Sequence, residues 1–227
     1  ADIKVEFDDL GNVKNNYKIN GLVKDVKINV LDKYELNKLD FIFEILNDNF
    51  RFNDIQLSIN NKKIFFPQIL ALKKNEEFLV SGQISNKKTT LNSEEIKNIT
   101  NNEVLGAEIQ KIIFESENNF KFKINKNFKI KNLNIISDIN LSSLVLTNNF
   151  DLKQIFPDIK KDIIFENHKI KINYNNSNFN INGSGKTLLQ EKFDNIEYKI
   201  SKNKNQINYF TILKITKNLF KLDLLNY

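Results

Sequence analysis

Apolar and polar residues alternate one for one through most of this chain, and a period of two places successive side chains on opposite faces of an extended strand. Val26, Ile28 and Val30 alternate with Asp25, Lys27 and Asn29, and Phe50 and Phe52 flank Arg51. Ile55, Leu57 and Ile59 flank Gln56 and Ser58. Phe120, Phe122 and Ile124 stand against Lys121, Lys123 and Asn125, and Phe128 and Ile130 against Lys129 and Lys131. Ile170, Ile172 and Tyr174 repeat the pattern against Lys169, Lys171 and Asn173, and Phe220, Leu222 and Leu224 repeat it near the end. One-sided strands of this kind belong to antiparallel sheets with a solvated face, whereas parallel strands are apolar on both sides. The pattern therefore argues against a doubly wound α/β fold, and the expectation is an all-β, mainly antiparallel architecture.

The spacing of turn signals agrees. Leu10-Gly11-Asn12, Asn60-Asn61, Lys74-Asn75, Asn118-Asn119, Asn148-Asn149 and Asn175-Asn176 read as connections of a β meander. Two short helices interrupt it. Asn92 caps a segment with Ser93, Glu94 and Glu95 in its first turn, running to about Ile99. Asp151 with Gln154 forms a capping box ahead of Ile155 and Phe156, limited by Pro157. Residues 1–227 are read as a single β-rich region, with a soft joint near 86–106 where the alternation lapses into a polar stretch.

With 227 residues the chain is long enough for a large β domain or part of a longer β structure. It lacks Met, so a preceding segment, including any targeting sequence or anchor, is expected to lie outside it. No stretch reaches the roughly 20 apolar residues of a membrane-spanning helix. Without cysteine, neither a disulfide framework nor a thiolate metal site is available. The net charge of +6 invites an anionic partner, but Arg51 is the only arginine, and arginine is the residue that reads phosphates and guanine edges in bidentate fashion. The abundance of Asn, Ile, Lys and Phe matches AT-rich codon usage, and the alternation puts Phe and Lys on opposite faces rather than side by side as a base-stacking platform requires. No nucleic-acid partner is expected.

Candidate chemical sites dissolve in turn. Gly183-Ser184-Gly185-Lys186-Thr187 ends like a phosphate-binding loop, but the glycine required five positions before Gly185 is Asn180, and the sequence runs on as strand. A glycine-rich β turn or bulge with positive φ is the expectation there. His168 is the only histidine, and no second imidazole or thiolate accompanies it to hold a metal; it is expected as a solvated strand residue. The adjacent acids Asp8-Asp9, Glu76-Glu77 and Glu94-Glu95 lack the opposed geometry of acid/base catalysis. Neither an enzymatic activity nor a cofactor is expected.

What remains is a broad apolar face with almost no helix to cover it. It either closes on itself as a sandwich or solenoid core, a structural or adhesive module, or stays open as a trough for apolar ligand. Val26, Ile28, Val30, Phe50, Phe52, Phe120, Phe122, Ile124, Ile170, Ile172 and Tyr174 are the candidates for lining such a trough.

The stretch Asn149 to Pro157, the strands Lys169 to Tyr174 and Phe179 to Ile181, the Gly183-Ser184-Gly185-Lys186 segment and Phe193 to Ile200 together resemble the C-terminal region of AsmA-like proteins, the TamB and YhdP group of Gram-negative envelope proteins. The segment from Tyr17-Lys18-Ile19-Asn20-Gly21 to Gln83 has the same texture of strand, glycine and strand. This resemblance implies a long curled sheet or β groove, in a periplasmic protein anchored to the inner membrane by a segment not present here. It further implies phospholipid acyl chains as partners, carried between inner and outer membranes. It supplies no residue-level site.

Overall fold

The computed structural model describes all residues except 15, 31–33, 60–61, 101–107, 150, 204–205 and 222–227, and leaves aside the side chains of 29, 30, 34 and 98–100. The turn signal Asn60-Asn61 and the alternation at Leu222 and Leu224 lie outside the described residues.

The architecture is all-β, as the alternation requires. The strands are β1 (Asp2–Lys4), β2 (Lys18–Val30), β3 (Tyr34–Leu46), β4 (Asn49–Ile59), β5 (Lys62–Lys74), β6 (Glu77–Asn92), β7 (Glu108–Asn125), β8 (Ile130–Thr147), β9 (Asp162–Asn175), β10 (Asn178–Leu188), β11 (Phe193–Asn203) and β12 (Gln206–Lys214), with one helix, α1 (Ser93–Thr100), between β6 and β7. They hydrogen-bond in chain order from β1 to β12, and every pairing whose register is described is antiparallel. This is a meander, in which each strand pairs with its sequence neighbours and no crossover is needed.

Contacts gather in two compact units. One comprises Ala1–Asn86, Glu117–Ile136 and Tyr174–Asn176, the other Lys87–Ser116, Ser137–Asn173 and Ser177–Tyr227.

In the first unit, the apolar runs change phase within a strand. Phe50 and Phe52 fall on even positions of β4 but Ile55, Leu57 and Ile59 on odd ones, and an intervening residue, Asp54, takes φ of 53°. Asp25 in β2 (φ 52°) and Lys38 in β3 (φ 53°) do the same, and the pairing registers slip by one residue at each of the three positions. Each is a β-bulge: the extra residue lets the strand bend and twist while the apolar side chains on either side of it keep to one face. The freed backbone is satisfied locally, since the Asp25 N–H donates to Asp40 Oδ1 at 2.6 Å. The residues just past two of these bulges, Leu39 and Ile55, are buried.

The predicted helix after Asn92 is present and capped as expected: Asn92 Oδ1 accepts from the Glu95 N–H at 2.9 Å, and Glu95 Oε2 accepts from the Asn92 N–H at 2.9 Å. The segment at 151–157 is a pair of turns instead. Asp151 Oδ1 accepts from the Lys153 N–H and Leu152 O accepts from the Phe156 N–H, and Pro157 then stops propagation. One turn fixed for one hydrogen bond is an unfavourable nucleus without further residues to extend it.

Asn118-Asn119 is no turn but lies inside the 18-residue β7, where the Asn118 side-chain amide donates to Ile84 O at 3.2 Å. Phe128 belongs to the β7–β8 connection rather than to a strand.

Candidate functional site

The first unit carries a laterally continuous apolar surface that follows from its pairing register. One rung across five strands reads Gly21, Phe43, Phe52, Ile69, Gly82, and the next reads Ile19, Ile45, Phe50, Ala71, Val80. Rings meet edge to face along it: Phe41 and Phe52 at 5.7 Å between centroids, Phe50 and Phe78 at 5.7 Å. The glycines in the first rung make room for aromatics. A Cβ on Gly21 would lie 2.3 Å from the Phe43 ring, and one on Gly82 would lie 2.6 Å from the Phe120 ring. Phe120 stacks in turn on Phe122 at 6.0 Å.

Among the candidates named from sequence, Phe50 and Phe52 thus lie on adjacent rungs of this surface, and the Phe120–Phe122 pair adjoins it at Gly82. Val26 sits across from Leu39 and Ile28 across from Leu36, beyond the line of bulges. Val30 is in β2, with its side chain outside the described residues. Ile124 reaches a cavity with Phe78 and Phe128. Ile170 and Ile172 belong to the second unit and Tyr174 to the first, all three half-buried in β9. Phe41, Phe43 and Phe78, central to the aromatic surface, were not singled out in sequence; their register opposite Phe52 and Phe50 is a long-range property of strand pairing.

The burial of this surface is its chief peculiarity. Among the described residues, only Leu39, Ile55, Ile96 and Leu141 are buried hydrophobics, and none of the phenylalanines is. Phe, Ile and Leu are ordinarily among the residue types most often fully buried. Here they lie half-covered by sheet neighbours.

The polar side chains are solvated and paired. Lys18 Nζ lies 2.8 Å from Glu44, Lys73 Nζ 2.7 Å from Asp48, and Lys131 Nζ 3.0 Å from Glu77. Hydrogen bonds from these lysines hold the three carboxyls below their usual range. Of the adjacent acid pairs, Asp8 holds a turn by accepting from the Leu10 and Asn12 N–H groups, Glu77 is in ion pairs with Lys123 and Lys131, and Glu95 is in the helix cap. Among the described residues, no group of His, Asp and Glu side chains is placed to hold a metal ion.

The second unit overturns two expectations. His168 is 1% exposed rather than solvated. Its Nε2–H donates to Lys186 O at 3.0 Å, which leaves Nδ1 of the neutral ring to accept from the Tyr198 hydroxyl at 3.3 Å. Phe165 abuts the ring at 5.5 Å. Desolvation lowers the His168 pKa, and burial raises that of Tyr198.

Gly183 and Gly185 lie in mid-strand β10 without positive φ, so neither a turn nor a bulge explains them. Their reason is space: a Cβ would come 2.3 Å from Tyr198 at Gly183 and 2.3 Å from His168 at Gly185. The loop-like motif is thus a packing device for two rings. A second polar cluster fixes the end of this unit: Asp194 Oδ2 accepts from Asn218 Nδ2 at 2.6 Å, and Gln190 Nε2 donates to Leu219 O at 2.6 Å.

No family model, curated protein or solved structure matches this chain. Among the described residues, no helix is long and apolar enough to cross a membrane.

Proposed function

We propose that the apolar face binds lipid acyl chains, in a β-rich segment of an envelope protein that passes phospholipid between inner and outer membranes. The observation that carries this reading is the half-buried state of the aromatic surface: rung after rung of Phe, Ile and Val lies on a sheet face, and none of the described phenylalanines reaches the burial of a packed core. Extended apolar patches mark binding surfaces in soluble proteins. A flexible hydrocarbon chain matches a strip of ring faces and branched aliphatics without needing directional partners. The bulges in β2, β3 and β4 serve the same end by keeping apolar side chains on one face through strands of 11 to 13 residues.

The resemblance to AsmA-like proteins supports a periplasmic setting for such a segment, with the inner-membrane anchor elsewhere in the polypeptide. The role is one of binding and conduction, without catalysis, cofactor or nucleic acid. The alternative, a structural or adhesive module, requires the same residues to form a closed core, and the scarcity of buried apolar side chains among the described residues speaks for the open form.

Purifying the chain without detergent, extracting it with organic solvent and analysing the extract by mass spectrometry tests the proposal. Stoichiometric phospholipid is the expected result. A folded, monodisperse protein free of lipid, which also fails to take up added phospholipid, contradicts it.

A further inference from the structure

Beside the aromatic row of the first unit lies a cavity of about 370 Å³, lined by Lys73, Asn75, Glu76, Phe78, Ile124, Asn125, Lys126 and Phe128. It sits next to the β5–β6 and β7–β8 turns. Phe78 joins it to the aromatic row through its edge contact with Phe50.

Phe128 is anomalous there in two ways. It is 83% exposed, and it adopts φ of 56°, a conformation that glycine and asparagine take readily and a bulky side chain does not. The neighbouring hydrogen bonds enforce it: Asn125 Oδ1 accepts from the Asn127 and Lys129 N–H groups at 3.0 Å, and Asn125 O accepts from the Phe128 N–H at 2.9 Å. A glycine would serve this turn at lower conformational cost, so placing a ring here is unfavourable for the turn itself. At the rim, Lys126 is available to engage a ligand. Its contact with Glu76 is 3.6 Å long between side chains 77% and 83% exposed, a pairing of little strength. Lys73, by contrast, is held by Asp48 at 2.7 Å.

We infer that this cavity is the mouth through which an amphiphile with an anionic headgroup enters the apolar face, Lys126 taking the headgroup and Phe128, Phe78 and Ile124 the first part of the chain. The inference rests on the lipid reading above and specifies where the ligand enters and what headgroup it carries.

The chain has no Trp, so Phe128→Trp places a single fluorescent reporter at the mouth. Dodecyl phosphate titrated below its micelle concentration should produce a saturable blue shift of that indole, and adding Lys126→Glu should weaken the binding about tenfold, the ratio set by losing one charge-assisted contact. Phe128→Gly should raise the thermal midpoint, because the turn is relieved, and yet reduce dodecyl phosphate uptake measured by equilibrium dialysis.

A Phe128→Gly protein that binds like wild type overturns the inference, as does an indole response equally strong for dodecyl maltoside. If the wild-type chain takes up dodecyl phosphate while the indole of Phe128→Trp stays silent, the mouth is wrong and the lipid-binding face stands. Uptake of neither amphiphile removes both. An indole shift that follows protein concentration alone assigns the cavity to a second copy of the chain and overturns the inference.

Discussion

His168 concentrates the chemistry of the second unit in one side chain. Truncating it to Ala removes a buried ring and strands the Lys186 carbonyl and the Tyr198 hydroxyl, so His168→Ala should cost about 3 kcal/mol in urea unfolding. A loss below about 1 kcal/mol contradicts the packing role. Lys186 contributes only its backbone to this cluster and its side chain is exposed, so Lys186→Ala should be neutral.

The pH dependence has a definite sign. The folded-state pKa of His168 is lowered by burial, so the unfolded chain takes up the proton first. Its contribution is fully present above the unfolded value of about 6.5 and is lost as pH falls through that value towards the folded pKa. As the only histidine, it is the side chain whose ordinary titration falls in this window, whereas the carboxyls held low by lysines act only below about pH 4.5. Urea unfolding at pH 7.5 and 5.5 should therefore show a drop in stability that His168→Gln abolishes. Little of this was legible in sequence. A lone His beside Lys169 reads as solvated, and only the pairing of β9, β10 and β11 brings Gly185 and Tyr198 to it.

At the scale of elements, the alternation made many of the strands readable, but the bulges at Asp25, Lys38 and Asp54 emerged only from backbone geometry and pairing register. The step from Phe52 to Ile55 breaks the period of two by one residue, and Asp54 with its left-handed φ is what absorbs the break. Glycine takes that φ readily and a β-branched residue does not. Asp54→Gly should stay within about 1 kcal/mol of wild type, and Asp54→Val should cost about 2 kcal/mol, by thermal unfolding. Equal effects of the two would show that the bulge is not conformationally selected.

Asparagine misled in β7 because it is a turn residue only where the backbone needs one. In Asn118 the side chain instead serves a neighbouring strand. The segment at 151–157 shows the opposite limit, a genuine capping pattern with too few residues behind it to make a helix.

Over the whole molecule, the fold class follows from periodicity, whereas the state of the apolar face does not. Whether Phe50, Phe52, Phe120 and Phe122 meet a second layer is decided by how strands pair and bend, and a period of two carries no information on it. The structure leaves these rings half-buried on the face of a sheet, which is the basis for the proposal that they bind lipid. Phe122, stacked on Phe120 in the strongest alternating run, is the position where open and closed faces differ most. In a closed core, Phe122→Asp places an unpaired carboxylate among hydrocarbon, at a cost of several kcal/mol out of a typical total of about 5 to 15. On an open face the carboxylate stays hydrated. The most direct measurement is urea unfolding of wild type and Phe122→Asp, with phospholipid quantified in the same preparations. An open lipid-binding face predicts a loss of no more than about 1.5 kcal/mol together with a marked fall in bound phospholipid, and collapse of the variant with no lipid on the folded wild type would contradict it.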